Sequence, residues 1–212
     1  MHDNVWQPNS KKSRMDKGYA LNHVNDILIL HVNLEGFKSY AVDVEAEIAL
    51  LERMPDIFLL NETKSDEIAE LDGYILICER NRVFDTKERG IEVFARKDKA
   101  AHVTLLGKSD TCERCWVMIH NDGPFLGGCW YRPPNKGSIE GINELRDEIA
   151  ELLSNSVGII IIGDINIHSV KWLRHSSGET REANALQTVC EELSEPSTAS
   201  NCTHPQGFSK LK

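Results

Sequence analysis

The chain has 212 residues, 41% hydrophobic and 27% charged, with a formal net charge of −9 from 33 acidic and 24 basic residues. This length suits one large domain with or without a tail, and the composition is that of an ordinary globular protein. No apolar run is long enough to span a membrane. The net acidity argues against a general nucleic-acid coat but leaves open an enzyme that meets a phosphodiester through a local cation.

Residues 1–25 are polar and lack the apolar centre of a secretion signal, so the expectation is a loosely held tail on an intracellular protein in a reducing compartment. Lys11, Lys12, Arg14 and Lys17 cluster there. They can solvate the tail, touch phosphate or act as a targeting signal. Residues 26–212 are expected to form one domain. The first strong strand is residues 27–33, Ile-Leu-Ile-Leu-His-Val-Asn. Val44, Ile48 and Leu51 have helical spacing, which predicts a helix over 43–53 stopped by Pro55. A second strand follows at 57–60. Strand, helix, strand is a crossover unit, so the two strands are expected to run parallel.

Short strand candidates follow at 74–78, 91–96, 101–106, 115–120 and 125–131, expected as an antiparallel meander. Asn121-Asp122-Gly123-Pro124 marks a tight hairpin. Ile142, Leu145, Ile149 and Leu152 predict a second amphipathic helix. Val157-Gly158-Ile159-Ile160-Ile161-Ile162 then reads as a strand buried on both faces and central in its sheet. Leu186, Val189, Cys190 and Leu193 predict a last helix from near Thr180, and after Pro196 the chain turns polar. The pattern predicts an α/β protein with more than one sheet.

The six cysteines, Cys78, Cys112, Cys115, Cys129, Cys190 and Cys202, are scattered and argue against a disulfide framework. Cys112 and Cys115 form a CxxC, but a structural zinc site needs two more ligands, and the chain holds no second CxxC or HxxxH. A redox pair should open a helix, whereas this one precedes a strand-like run. Ordinary thiols at a strand edge are the expectation.

Two apolar runs end in acids: 57–60, followed by Asn61 and Glu62, and 158–162, followed by Gly163 and Asp164. Open α/β sheets place their chemistry at the carboxyl ends of strands. Phosphodiester hydrolysis needs a polarised phosphoryl oxygen, an activated water and stabilised leaving-group charge. A hard divalent cation held by oxygen ligands serves all three. Glu62 is the candidate ligand. Asp164 is the candidate for orienting or deprotonating water, helped by the amide of Asn166. Each acid alone is equally at home starting a loop or capping a helix. Asn33 follows the first strand and shares the rim if the strands are parallel, though asparagine there also forms turns. Tyr131 and Arg132, held by Pro133 and Pro134, can face a phosphate or simply end a strand. His168 is a further candidate phosphate contact, or a loop residue.

Taken in order, Asn33, Leu60-Asn61-Glu62-Thr63, Tyr131-Arg132-Pro133-Pro134 and Gly163-Asp164-Ile165-Asn166-Ile167-His168 closely resemble the endonuclease/exonuclease/phosphatase superfamily, which has the DNase I-like fold. Lys171-Trp172-Leu173-Arg174-His175 resembles the branch formed by the apurinic-type endonuclease domains of non-LTR retrotransposons. Coverage runs from about residue 26 to 204. The resemblance implies a four-layer α/β sandwich of two packed mixed sheets and an Mg²⁺-dependent (or Mn²⁺-dependent) endonuclease that nicks DNA, nuclear if it acts on genomic DNA. By residue, it implies that Glu62 ligates the metal and Asn33 supports metal and phosphate. Tyr131 contacts the scissile phosphate, Asp164 positions or activates water, and Asn166 binds phosphate. A phosphatase of the same superfamily and a non-catalytic remnant are the alternatives.

The chain also departs from the family pattern. Arg89-Gly90-Ile91-Glu92-Val93 keeps one glycine where the family carries several. Ser209-Lys210-Leu211-Lys212 falls where the family has Ser-x-x-Asp, and the final Ser-Asp-His has no counterpart. His204 fits the preceding motif and is not assigned a catalytic role. The expectation is a C-terminally incomplete domain with weak activity.

Overall fold

A computed structural model describes residues 19–24, 27–34, 36, 44–46, 48–64, 70–81, 89–134, 139–153, 156–171, 176 and 178–194. Expectations for the basic cluster at 11–17, for 172–175, for Cys202 and His204 and for 209–212 lie outside them. The described chain builds two sheets. The first contains β1 (Tyr19–Val24), β2 (Ile27–Asn33), β3 (Ile57–Asn61), β4 (Tyr74–Asn81) and β5 (Arg89–Arg96) in the order β1-β2-β3-β5-β4. The second contains β6 (Val103–Lys108), β7 (Glu113–His120), β8 (Pro124–Tyr131) and β9 (Gly158–Ile162) in that order. Two helices follow the second sheet's strands: α1 (Glu140–Leu152) precedes β9 and α2 (Arg181–Ser194) comes after it.

Period-two alternation explains the layers. In β2, β3 and β5, Ile29, Ile57, Leu59, Ile91, Val93 and Ala95 point to a core between the sheets. Cys115, Val117, Ile119, Cys129 and Ile162 meet them from the second sheet. The alternate residues Leu30, Val32, Phe58, Leu60 and Phe94 point outward and pack under Val44 and Ile48. Those two lie in the helical stretches 44–46 and 48–49, within the expected helix at 43–53. On the far side, Trp116, Leu126 and Trp130 pack under Ile142, Leu145 and Ile149 of α1 and Leu186 and Val189 of α2. The result is two mixed sheets between helical layers, the architecture that the family resemblance implies. Each fully buried aliphatic or aromatic side chain contributes roughly 1.5–3 kcal/mol through lost water contact.

The expected crossover holds: β2 and β3 are parallel, with Asn33 opposite Asn61. The hairpin holds too, with β7 and β8 joined through Asp122 and Gly123, both in left-handed backbone. Thr180 caps α2, its Oγ1 accepting from the Ala183 N–H at 3.3 Å.

Three expectations change. The candidates between 74 and 131 do not form one meander: β4 and β5 join the first sheet, and β6, β7 and β8 form the second. Hydrophobic alternation fixes a strand's faces but not its neighbours, and β5 pairs antiparallel with β3 as well as β4. Tyr19–Val24, placed in the loose tail, pair residue for residue with β2, from Tyr19 opposite Val32 to Val24 opposite Ile27. The isoleucine strand is not central. Among the described residues β9 is the edge of its sheet, pairing parallel with β8, and Ile159, Ile160 and Ile161 are only half-buried. The isoleucine run reflects packing on both faces, since Ile160 and Ile162 face the inter-sheet core and Ile159 and Ile161 the helices.

The CxxC splits between layers. Cys112 lies against Gly141 of α1, where a glycine Cβ would sit 3.2 Å from the Cys112 Cβ, whereas Cys115 is in the inter-sheet core. The two thiols face different compartments and do not form a shared site. Beside Cys112, the fully buried Arg114 guanidinium makes two 2.7 Å hydrogen bonds to Glu148 of α1 and sits 4.7 Å from the Trp130 ring centroid. The Trp116 indole donates to the same carboxylate at 2.6 Å. Burial pushes the Glu148 carboxyl up, but the Arg114 hydrogen bonds and charge, with the Trp116 hydrogen bond, outweigh it and hold it below the usual range.

Candidate active site

The parallel pairing of β2 and β3 carries Asn33 and Glu62 to the same rim. β9 runs parallel to β8 in the other sheet and exits into Gly163 and Asp164. The two exits meet: Asn33 Nδ2 donates to Asp164 Oδ2 at 2.8 Å across 131 residues of chain. Glu62 lies near enough that its charge acts on Asp164. Asn33, Glu62 and Asp164 thus converge on one rim, formed jointly by both sheets.

Gly163 makes the approach possible. Its φ is +155°, and a Cβ there would lie 1.8 Å from the Trp130 carbonyl oxygen. Any side chain would push Asp164 off the β8 strand. Past Gly163 the ladder resumes, with the Arg132 N–H donating to the Asp164 carbonyl at 2.9 Å. The same Trp130 carbonyl accepts from Asn61 Nδ2 at 3.3 Å, and Asn61 Oδ1 accepts from the Cys129 thiol at 3.6 Å. Asn61 is fully buried. It therefore ties β3 of one sheet to β8 of the other directly beneath the site. The sequence places Asn61 inside the motif but does not show this bridging role, which needs the sheet-to-sheet geometry.

Backbone conformation marks the same rim. Non-glycine residues at positive φ are uncommon and each costs on the order of 1–3 kcal/mol. Among the described residues these are Glu62 (φ 54°), Lys64 (φ 45°), Asp122 (φ 34°) and Asn166 (φ 45°). Asp122 belongs to a hairpin, and the other three lie at the site. Surrounding bonds hold them: the Glu62 N–H donates to Gly90 O at 2.7 Å, and Gly36 N–H donates to Glu62 O at 2.8 Å. Asn166 Nδ2 donates to Arg132 O at 2.9 Å.

Asp164 is held by donors rather than by a cation. Besides Asn33, the Asn166 N–H donates to its Oδ1 at 3.3 Å. Desolvation is the largest influence on its carboxyl and pushes the pKa up, with the Glu62 charge adding to the rise. The hydrogen bonds from Asn166 and Asn33 pull the other way, and the net direction is upward.

The other candidates are placed less directly. Tyr131 ends β8 on the inter-sheet face, and only 3% of it is exposed. Arg132 is buried; it contacts Asn166 O at 3.4 Å and forms an ion pair with Glu182 of α2 at 3.3 Å. It thereby braces the Asp164–Asn166 loop against α2. His168 is exposed, its backbone pairing with Thr180 through Thr180 N–H to His168 O at 2.8 Å.

The residues fit a hard divalent cation. Asn33 Oδ1 is buried and has no hydrogen-bond partner among the described residues, because its Nδ2 is the atom engaged with Asp164. An orphaned carbonyl oxygen beside two neighbouring carboxylates is an all-oxygen donor set with excess negative charge, the chemistry that Mg²⁺ or Mn²⁺ prefers.

No protein-family model matches the chain. No curated protein matches it by sequence. Among solved structures, a humanized D. rerio TDP2 with 14 mutations matches at 15% identity and a TM-score of 0.43 over 66% of this chain. The chain spans 62% of the length of that neighbour.

Proposed function

We propose that this chain is a divalent-metal-dependent phosphodiester hydrolase of the endonuclease/exonuclease/phosphatase type, acting on DNA as a nicking endonuclease of retroelement origin. The observation that supports it most is the Asn33–Asp164 hydrogen bond beside Glu62, which joins the exits of two different sheets into one oxygen-rich rim. The ordered motifs around Asn33, Glu62, Tyr131 and Asp164 and the retrotransposon-like stretch from Lys171 support the finer reading.

Glu62 and the free Oδ1 of Asn33 would hold Mg²⁺, with Mn²⁺ as a substitute. Bound there, the cation would polarise a phosphoryl oxygen and offset charge on the leaving oxygen. The chain's own groups do the rest. Asp164, its carboxyl pushed up by burial and the Glu62 charge, takes the proton from an attacking water. Asn33 and the Asn166 amide fix the direction of its oxygens. Asn61 and Gly163 set its depth against β8. Tyr131 and Arg132, both buried, act through position: Tyr131 fills the inter-sheet core at the end of β8, and Arg132 braces the Asp164–Asn166 loop through Glu182 and Asn166 O rather than facing a phosphate.

The test is relaxation of supercoiled plasmid in Mg²⁺, in EDTA, and with Asp164→Ala in Mg²⁺. A general base typically contributes about 10²–10⁴-fold. The expected result is nicking that requires the metal and falls at least about 100-fold in Asp164→Ala. Metal-independent nicking, or equal rates for the variant, would overturn the proposal. Release of inorganic phosphate from small phosphomonoesters with no plasmid nicking would assign the site to a phosphatase instead.

A further inference from the structure

Lys64 stands two residues past the candidate metal ligand, with its Nζ 3.3 Å from Glu62 Oε2. Lys64 is 28% exposed and Glu62 16%. Between them Thr63 is fully buried and anchors the segment. Both flanking residues hold left-handed backbone, which a surface ion pair does not require. The lysine is thus built into the rim and aimed at the carboxylate that the proposed function assigns to metal.

We propose that Lys64 is a resident competitor for the cation position: its ammonium neutralises Glu62 until a divalent cation displaces it. This inference rests on the proposed function. The ammonium and Mg²⁺ are both cations drawn to one carboxylate, so each weakens the other's hold on Glu62 and charge repulsion favours displacement of the lysine. A lysine suits the role because it is a compact point charge on a flexible stem and can swing aside without breaking a fixed fork of bonds. With Glu62 neutralised, the metal-free rim is relieved of part of the repulsion between Glu62 and Asp164. The consequence is a site that loads only when the divalent cation outcompetes an internal charge, leaving the displaced ammonium free at the rim.

Calorimetric Mg²⁺ titration of the full chain tests it without reference to catalysis. Lys64→Met removes the charge and keeps the bulk. Lys64→Gly removes it while suiting the left-handed backbone, so that strain cannot mask the result. Both variants are expected to bind Mg²⁺ about twofold to fivefold more tightly than wild type, the range set by a partly exposed ion pair. Lys64→Arg, which keeps the charge, is expected to stay near the wild-type affinity. Unchanged or weaker Mg²⁺ binding in both Lys64→Met and Lys64→Gly would overturn the competitor role. If wild type binds Mg²⁺ and Glu62→Gln does not, that failure would leave the metal site standing. If wild type itself binds no Mg²⁺, the proposed function and this inference fall together.

Discussion

Asp56 enters β3 and Glu62 leaves it, five strand residues apart in one extended segment, and the two acids meet opposite surroundings. At the entry end, Asp56 is 2% exposed; its Oδ2 takes the hydrogen bonds, and its Oδ1, with no hydrogen-bond partner among the described residues, faces the Arg96 guanidinium. Asp56 accepts from the Leu28 N–H at 2.9 Å and from Arg53 at 2.7 Å, and lies 3.0 Å from Arg96. Its own backbone continues the pairing, with the Asp56 N–H donating to Leu28 O at 2.8 Å. At the exit end, Glu62 pairs with the partly exposed Lys64, and Asp164 has amide donors and a second carboxylate as neighbour. Among the described residues no basic side chain bridges Asp164. An acid flanked by two guanidiniums and a backbone donor is a structural clamp, and the positive charge beside it repels a cation. Acids gathered on one rim with an orphaned amide oxygen retain the capacity to hold one. The entry end therefore stabilises the fold, and the exit end holds the carboxylates that the proposed function uses.

The sharpest way to break this contrast is to remove the clamp. Asp56→Ala leaves the buried Leu28 N–H without its acceptor and takes the carboxylate away from Arg53 and Arg96, the latter keeping Asp98 and Met54 O. Losing one partner of a fully buried ion pair costs roughly 3–5 kcal/mol. Here Arg53 is 47% and Arg96 24% exposed, so solvent compensates in part and about 2–3 kcal/mol is expected. Denaturant unfolding should show that loss, with Mg²⁺ affinity of the folded protein unchanged. A variant of normal stability and altered Mg²⁺ affinity would reverse the roles of the two ends.

A smaller effect comes from pH. His31 is on β2, and by alternation it shares the inner face with Ile29 and Asn33. Its Nε2 has no partner among the described residues, and burial lowers its pKa to about 4 from 6.5. The folded state thus binds this proton less readily than the unfolded chain. Stability from His31 is fully present above pH 6.5 and is lost as pH falls toward 4. About 2 kcal/mol should disappear between pH 7 and pH 5. The difference in slope between wild type and His31→Leu isolates this contribution from the carboxylates, and equal slopes would show that His31 does not stay neutral in the fold.

The smallest effect is a sharpening one. Because burial and the Glu62 charge raise the Asp164 pKa, its ionised form opposes folding. Asp164→Asn keeps the shape, removes the charge and should leave stability equal or slightly higher. A clear loss of stability would place Asp164 in the same class as Asp56.

Much of this was legible in the residues. The crossover from β2 to β3 followed from apolar spacing and Pro55, and the convergence of Asn33, Glu62 and Asp164 followed from two strands ending in polar residues at their carboxyl ends. Asp56 stood in plain view before β3, but nothing local distinguishes a clamped acid from a free one, since Arg96 is 40 residues away in β5. Asn61 was hidden for the same reason: its partners Cys129 and Trp130 belong to the other sheet. The four isoleucines report packing above and below a strand, not a neighbour on each side, and among the described residues β9 is an edge strand, as the short stretch of chain after it also suggests. Lys64 carried no signal by spacing, and its orientation depends on left-handed backbone that a lysine rarely adopts.

The central claim is that the exit rim is one metal-binding site with Glu62 as an indispensable ligand. Calorimetric titration with Mg²⁺, comparing wild type and Glu62→Gln, tests it most directly, since the amide keeps the shape of the side chain and removes the charge that a hard cation requires. The account predicts measurable binding to wild type and none to Glu62→Gln while the variant remains folded. Equal affinities in the two proteins would contradict it.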